Sequence, residues 1–95
     1  MHGRVTTIQG APERAKEARE MITGTVIPKA SGISGLKAGY WLINAEGKVI
    51  SLTLFETEEA MVASRGTAQQ LREGSVGELG ATVVSVEEFE VVGQI

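Results

Sequence analysis

The sequence predicts an α+β fold, and three observations predict it. Two helical stretches, at 12–28 and from 58 to about 72, carry apolar residues at helical spacing. Four runs that read as strands flank them in the order strand, helix, strand, strand, helix, strand. Hydrophobic residues make up 42% of a 95-residue chain, which excludes a disordered segment and fits one domain spanning 1–95.

The first strand covers 3–9, where Val5, Thr6, Thr7 and Ile8 favour extended backbone. Gly10 and Pro12 stop it. Pro12 suits a first helical turn because its missing N–H would be unpaired there anyway. Ala15, Ala18, Ile22 and Val26 then form one apolar stripe, with Arg14, Lys16, Glu17, Arg19 and Glu20 on a solvated face. Pro28 is expected to end this helix.

A loop at 29–35 leads to the second strand, 36–43. The turn Asn44-Ala45-Glu46-Gly47 offers Gly47 for a left-handed position. The third strand, 48–56, is the most regular: Ile50, Leu52 and Leu54 share one face, and Val49, Ser51, Thr53 and Phe55 the other. The three large aliphatics are expected against the helices. The mixed face is then expected to look away from them, covered but loosely packed. The register of the second strand has two solutions. Pairing Asn44 with Gly47 puts Tyr40 on the face of Ser51, and a turn one residue longer puts Trp41 there. The first is favoured.

Thr57 is an N-cap with Glu58 and Glu59 in the first turn behind it. The second helix presents Ala60 or Met61, Ser64, Ala68 and Leu71 inward; Gly74 and Gly77 leave its extension to Leu79 open. Gly80 is placed to cap its C-terminus. The last strand, 82–92, has apolar groups on both faces. A βαββαβ order of this kind gives a ferredoxin-like plait, a four-stranded antiparallel sheet with both helices on one face. The other face, apolar in a domain too small to hide it, is expected to pair with a second copy of the chain. Burying ~600 Å² of apolar surface per subunit is a gross term of ~15 kcal/mol before the losses of association.

Other classes are excluded by composition. Net charge is −3 with both signs interspersed, unlike a nucleic-acid footprint. The chain has no cysteine, so no disulfide or cysteine-ligated metal. No apolar run reaches the ~20 residues that span a bilayer. Residues 1–10 lack a basic segment followed by an apolar run, so a cytoplasmic location is expected. No phosphate loop, dinucleotide fingerprint, Ser/His/Asp set or metal-ligand spacing occurs.

The βαββαβ plan, the segment Gly32-Ile33-Ser34-Gly35 and the segment Phe55-Glu56-Thr57-Glu58-Glu59-Ala60 resemble the antibiotic biosynthesis monooxygenase-like domains. The resemblance covers nearly the whole chain and implies pairing into a dimeric α+β barrel. In that family the segment after the third strand reads Trp-x-Ser-x-x-Ala, with a histidine soon after. Phe55 takes the place of the Trp, Thr57 that of the Ser, and Ser64 falls where the histidine is often found. Members that degrade haem use an axial histidine from the second helix; the one histidine here is His2, so the resemblance implies no haem, no other cofactor and no metal. It implies instead a cofactor-independent monooxygenase acting on an aromatic or polyketide-like molecule in a pocket, between sheet and helices or between the sheets of a dimer. The alternative is a non-catalytic ligand-binding or accessory dimerisation module.

No catalytic residue stands out. The pocket candidates are Tyr40, Trp41, Ser51, Thr53 and Phe55. Phe55 has the strongest case as a cavity wall, Tyr40, Ser51 and Thr53 are balanced between pocket and ordinary strand or interface positions, and Trp41 favours core or interface packing. Arg65 could hold an anion, but an exposed helix arginine is the commoner outcome. Glu87, Glu88 and Glu90 more often keep an edge strand soluble than act as bases.

Overall fold

A computed structural model describes residues 1–95. Its four strands are β1 (His2–Gln9), β2 (Leu36–Ile43), β3 (Lys48–Phe55) and β4 (Thr82–Glu90). All neighbours run antiparallel in the order β2-β3-β1-β4. This is the ferredoxin-like plait expected of the βαββαβ order.

The first helical segment, α1, continues past Pro28 and is irregular. It opens with a 3₁₀ turn at Pro12–Arg14, becomes α-helical at Ala15–Met21, widens into a π-helix at Ile22–Val26 and ends as an α turn at Ile27–Ala30. The expectation that Pro28 terminates the helix is therefore corrected. The π stretch widens the helix, and the Ile27 N–H reaches back to the Ile22 carbonyl. Pro28 then sits at the start of a renewed turn, where a missing N–H is tolerated.

The second helical region is two helices, α2 (Glu58–Ala63) and α3 (Arg65–Leu79). Thr57 caps α2 by accepting the Ala60 N–H at 3.1 Å. Ser64 divides them; its hydroxyl donates to the Met61 carbonyl at 2.7 Å, turning the chain between the two axes. The glycines at 74 and 77 do not stop α3, which runs to Leu79 and ends on Gly80 in the left-handed conformation (φ +62°).

The β2–β3 hairpin takes the longer of the two turns. Asn44 donates its N–H to the Lys48 carbonyl at 3.1 Å, and its side-chain Oδ1 accepts from the N–H of Glu46 and of Lys48, each at 3.0 Å. Gly47 supplies the left-handed residue (φ +80°) of the three-residue loop. The asparagine side chain thus selects the register, which places Trp41 opposite Ser51 and Tyr40 opposite Leu52.

That register corrects the expected faces. Val49, Ser51, Thr53 and Phe55 look toward the helices, together with Trp41 of β2 and Arg4, Thr6 and Ile8 of β1. Ile50, Leu52 and Leu54 lie on the helix-free face beside Tyr40 and Leu42. The more apolar side of β3 therefore faces away from the helices.

Candidate functional site

The helix-facing side of the sheet does not close tightly on α1 and α3. A cavity of about 100 Å³ remains, and most of its wall is apolar. Small side chains explain why it persists. Ala18 and Ala30 of α1 and Ala68 of α3 face the sheet, where bulkier residues would fill the gap.

Trp41 closes one side. Its ring lies over Gly39, two residues earlier on the same face; a Cβ at Gly39 would come within 2.6 Å of the indole. Phe55 forms part of the floor and is fully buried. The Arg4 guanidinium stacks over it at 5.6 Å from the ring centroid.

Arg4 is itself 4% exposed and strongly held. Its Nη1 donates to Ser64 Oγ at 3.1 Å, its Nη2 to the Met61 carbonyl at 2.9 Å, and Nη2 and Nε to Glu88 Oε2 at 3.0 and 3.3 Å. Four of five N–H donors are used, leaving one on Nη1. Glu88 is gripped from outside as well, since Arg65 donates to both of its oxygens. The Glu88 carboxyl is pulled down to about 2, chiefly by the hydrogen bonds from Arg65; burial opposes this, and the hydrogen bonds from Arg4 and the charges of both arginines add to the lowering. Arg65 and Glu88 are therefore one clamp, in place of the separate anion site and solubilising edge charge considered from sequence.

This clamp has a pH signature. Folding lowers the Glu88 carboxyl from an ordinary 4.5 to about 2, so its stabilisation is present above pH 4.5 and lost as pH falls through that interval. Hydrogen bonds to charged groups contribute roughly 1.5–3 kcal/mol. The lower end applies here, because the Glu88 side chain is 23% exposed and solvent screens it. Glu88→Gln should reduce stability at pH 7 and flatten the unfolding free energy between pH 4.5 and 2. Urea titrations at several pH values read this, and an unchanged acid slope would contradict the clamp.

The cavity's second charge is Arg72 of α3. It lines the same space, is half-buried, and makes no hydrogen bond or ion pair with any side chain or carbonyl of the protein. Burial, and secondarily the charge of Arg4, lower its pKa. Arg4 and Arg72 are the only ionisable groups in the lining, which contains no carboxylate, histidine or tyrosine.

The hydroxyls of Thr6, Ser51 and Thr53 form the polar part of the floor. Thr6 stands opposite Ser51 and Arg4 opposite Thr53, so the four side chains make a compact block across β1 and β3. The three hydroxyls have no partner within the protein, yet no buried polar atom is orphaned, so they open onto the cavity.

Of the residues singled out by sequence, Trp41, Ser51, Thr53 and Phe55 line this cavity together. Tyr40 does not: it is 58% exposed on the opposite face, because the Asn44 turn fixes the other register. His2 is at the sheet's end, paired across to Phe55 and Glu90, and is not itself part of the lining. Arg4 and Arg72 went unnoticed in the sequence. The signal for Arg4 was parity, since it alternates with Thr6 and Ile8. For Arg72 it was an arginine interrupting the inward stripe of Ala68, Leu71, Ser75 and Leu79.

No family model matches the chain. Uncharacterised proteins of two Mycobacterium tuberculosis strains are 29% identical over 90 residues, 93% of this chain. The chain spans 38% of the length of these relatives. Among solved structures, an antibiotic biosynthesis monooxygenase-like protein of Deinococcus radiodurans superimposes with a TM-score of 0.77 at 14% identity, covering 100% of this chain and 96% of that one. The fold is the antibiotic biosynthesis monooxygenase-like one. Two further structures share it. The ActVA-Orf6 monooxygenase of Streptomyces coelicolor, solved with nanaomycin D, has a TM-score of 0.71 at 18% identity, covering 99% and 89% of the two chains. An arginine-to-serine variant of MhuD, solved with two manganese protoporphyrin IX molecules per active site, has a TM-score of 0.76 at 21% identity, covering 100% and 98%.

Within this fold the two segments that carried the resemblance meet in space. Gly35, at φ +81°, lies against Ala60, and a Cβ there would come within 2.6 Å of the Ala60 methyl. The residues do not suit a haem. Ser64, at the position where the family often has histidine, is buried and spent on Arg4 and the Met61 carbonyl. The lining offers no histidine, cysteine or tyrosine to bind iron.

Proposed function

We propose that the helix–sheet cavity binds a flat, largely apolar molecule with one anionic oxygen, and that the chain, as a homodimeric α+β barrel domain spanning 1–95, oxygenates it without a cofactor. The observation that carries this reading is Arg72, a half-buried guanidinium without a protein partner in an apolar cavity. A charge so placed loses hydration and gains nothing from the protein; a ligand anion would restore the balance.

The same pair of arginines suits carbon-acid chemistry. Arg4 and Arg72 would stabilise an enolate or phenolate, lowering the pKa of a bound enol so that its proton is lost to water. The electron-rich carbon then reduces dioxygen. A ring CH₂ becomes C=O, one oxygen atom enters the carbonyl, and the other leaves as water with the two hydrogens. The hydroxyls of Thr6, Ser51 and Thr53 would orient the substrate's oxygens. An anthrone-type compound has the required acidic CH₂.

Homodimerisation is supported by the helix-free face. Only 10 of 95 residues are buried in the single chain, while Tyr40, Leu42 and Phe89 are about half exposed or more on that side of the sheet. A second copy is the simplest cover for such a face.

Oxygen uptake with a panel of anthrones and hydroquinones tests the catalytic part. Uptake no faster than with heat-denatured protein would overturn it. The absence of any carboxylate or histidine in the lining favours one second reading, a non-catalytic binding module, which predicts ligand stabilisation without turnover.

Anion binding can be tested separately. Trp41 is the only tryptophan and lines the cavity, so its fluorescence reports occupancy. Arg72→Met should weaken salicylate about 10–100-fold, the value of one or two charge-assisted hydrogen bonds, and leave neutral salicylamide within about twofold. Equal effects on both ligands would remove the charge from the argument.

A further inference from the structure

Above the cavity, on the outer surface, a second space runs between α1 and α3. It is a groove of about 320 Å³, three times larger than the space beneath it. Its walls are mainly polar: Thr25 and Lys29 from α1, Gln70 and Glu78 from α3. Three residues, Met21, Leu71 and Ser75, line both spaces, so they are at once the floor of the groove and the roof of the cavity.

At this roof α1 is irregular and α3 carries a side-chain back-bond. Met21 is the last α-helical residue before the π-helix of Ile22–Val26. Opposite it, the Ser75 hydroxyl donates to the Leu71 carbonyl at 2.9 Å, a back-bond that loosens and bends a helix. Gly74, between them on the groove side, has no atom within 4 Å of where a Cβ would stand, so the helices are not close-packed there. Met21 and Leu71 are flexible side chains that change rotamer readily.

We propose that this groove is the outer half of the binding site and the way into it. The ligand is then an amphiphile: a flat anionic head passes between Met21 and Leu71 into the cavity, and a hydrogen-bonding tail lies along the groove beside Lys29, Gln70 and Glu78. This rests on the reading of the cavity given above and extends it to molecules longer than one ring. The cavity alone is below the roughly 300–1,000 Å³ of drug-sized pockets, whereas the groove lies within that range.

The absence of cysteine makes the test clean, because Gly74→Cys introduces a single thiol. Two probes are compared by Trp41 fluorescence: salicylate, and salicylate carrying a glycylglycinamide tail para to its hydroxyl. The tailed probe should bind the unmodified protein at least tenfold tighter. Labelling Gly74→Cys with a bulky methanethiosulfonate should abolish that gain and slow salicylate association about tenfold, and dithiothreitol should restore both. The same label on Lys16→Cys, on the exposed side of α1, should do neither.

If salicylate binds and the tail adds nothing, or the label leaves both probes unaffected, the groove has no role. If salicylate does not bind at all, the cavity reading itself fails, and this proposal with it.

Discussion

Leu42→Glu should convert a dimer into a folded monomer. Leu42 is 56% exposed on the helix-free face, opposite Ile50 of β3 and two residues from Tyr40. In the isolated chain a carboxylate at 42 would stand largely in water, so the monomer loses little. In a two-fold dimer the same carboxylate is buried twice, once from each copy, without a partner. Each unpaired interfacial charge costs several kcal/mol, so the dimer dissociation constant should rise at least about 1,000-fold, equivalent to about 4 kcal/mol. Sedimentation velocity at micromolar concentration should show the variant at half the wild-type mass with an unchanged far-UV spectrum. Val62→Glu is the matched control; Val62 is 41% exposed but belongs to α2, away from the sheet face. A wild-type chain that is monomeric at these concentrations, or a Leu42→Glu variant that remains dimeric, would contradict the proposed interface.

The same face explains where the sequence misleads. β3 carries Ile50, Leu52 and Leu54 on one side and Val49, Ser51, Thr53 and Phe55 on the other. Hydrophobicity alone assigns the aliphatic side to the helices, as it would in a self-contained monomer. The structure reverses this for a physical reason. A face that lines a cavity tolerates hydroxyls, because the space can be shared with a polar partner. A face with no helix of its own chain over it takes large aliphatic groups where a second protein surface is proposed to cover it, as β3 does with Ile50, Leu52 and Leu54. The criterion of greater apolarity thus finds the proposed interface and misses the site.

Register was undecidable from sequence for a similar reason. Tyr40 and Trp41 are adjacent, both aromatic, and equally at home on a strand. What separates them is two hydrogen bonds to Asn44 Oδ1, which set the loop at three residues. By contrast, local signals with one physical solution were legible. Thr57 capping α2, Gly47 in the hairpin and Gly80 after α3 each adopt the conformation expected of them. Pro28 was misleading because its usual effect assumes a regular helix, and the π stretch before it removes the conflict. Arg4 and Arg72 needed three-dimensional context. Nothing in a list of residues separates an arginine buried on a phenylalanine from one in solvent, although 4% exposure and 5.6 Å do so at once.

Phe55→Ala should be the most damaging single substitution within one chain. Phe55 is the one large side chain with no exposed surface, and it is both the end of β3 and the floor under Arg4. Removing a buried phenylalanine ring typically costs 3–5 kcal/mol, through lost transfer energy and the hole left behind. Arg4 also loses a cation–π contact of about 0.5–2 kcal/mol while remaining tied to Glu88, Ser64 and Met61, so it cannot swing out to water. For a domain with roughly 5–15 kcal/mol of total stability this is a third or more, and the urea midpoint should fall accordingly. The ring's removal also joins its own volume to the cavity, which gives the prediction a second arm. A ring-sized apolar ligand such as toluene should raise the melting temperature of Phe55→Ala by more than it raises that of the wild type, since the variant has a ring's volume of additional apolar space. Phe55→Trp, which installs the residue that the resemblance would place at this position, should behave oppositely: overpacking of about 1–3 kcal/mol and a smaller cavity. If Phe55→Ala lost less than about 1 kcal/mol, the floor would be able to collapse, and Arg4 would not be held where the site requires it.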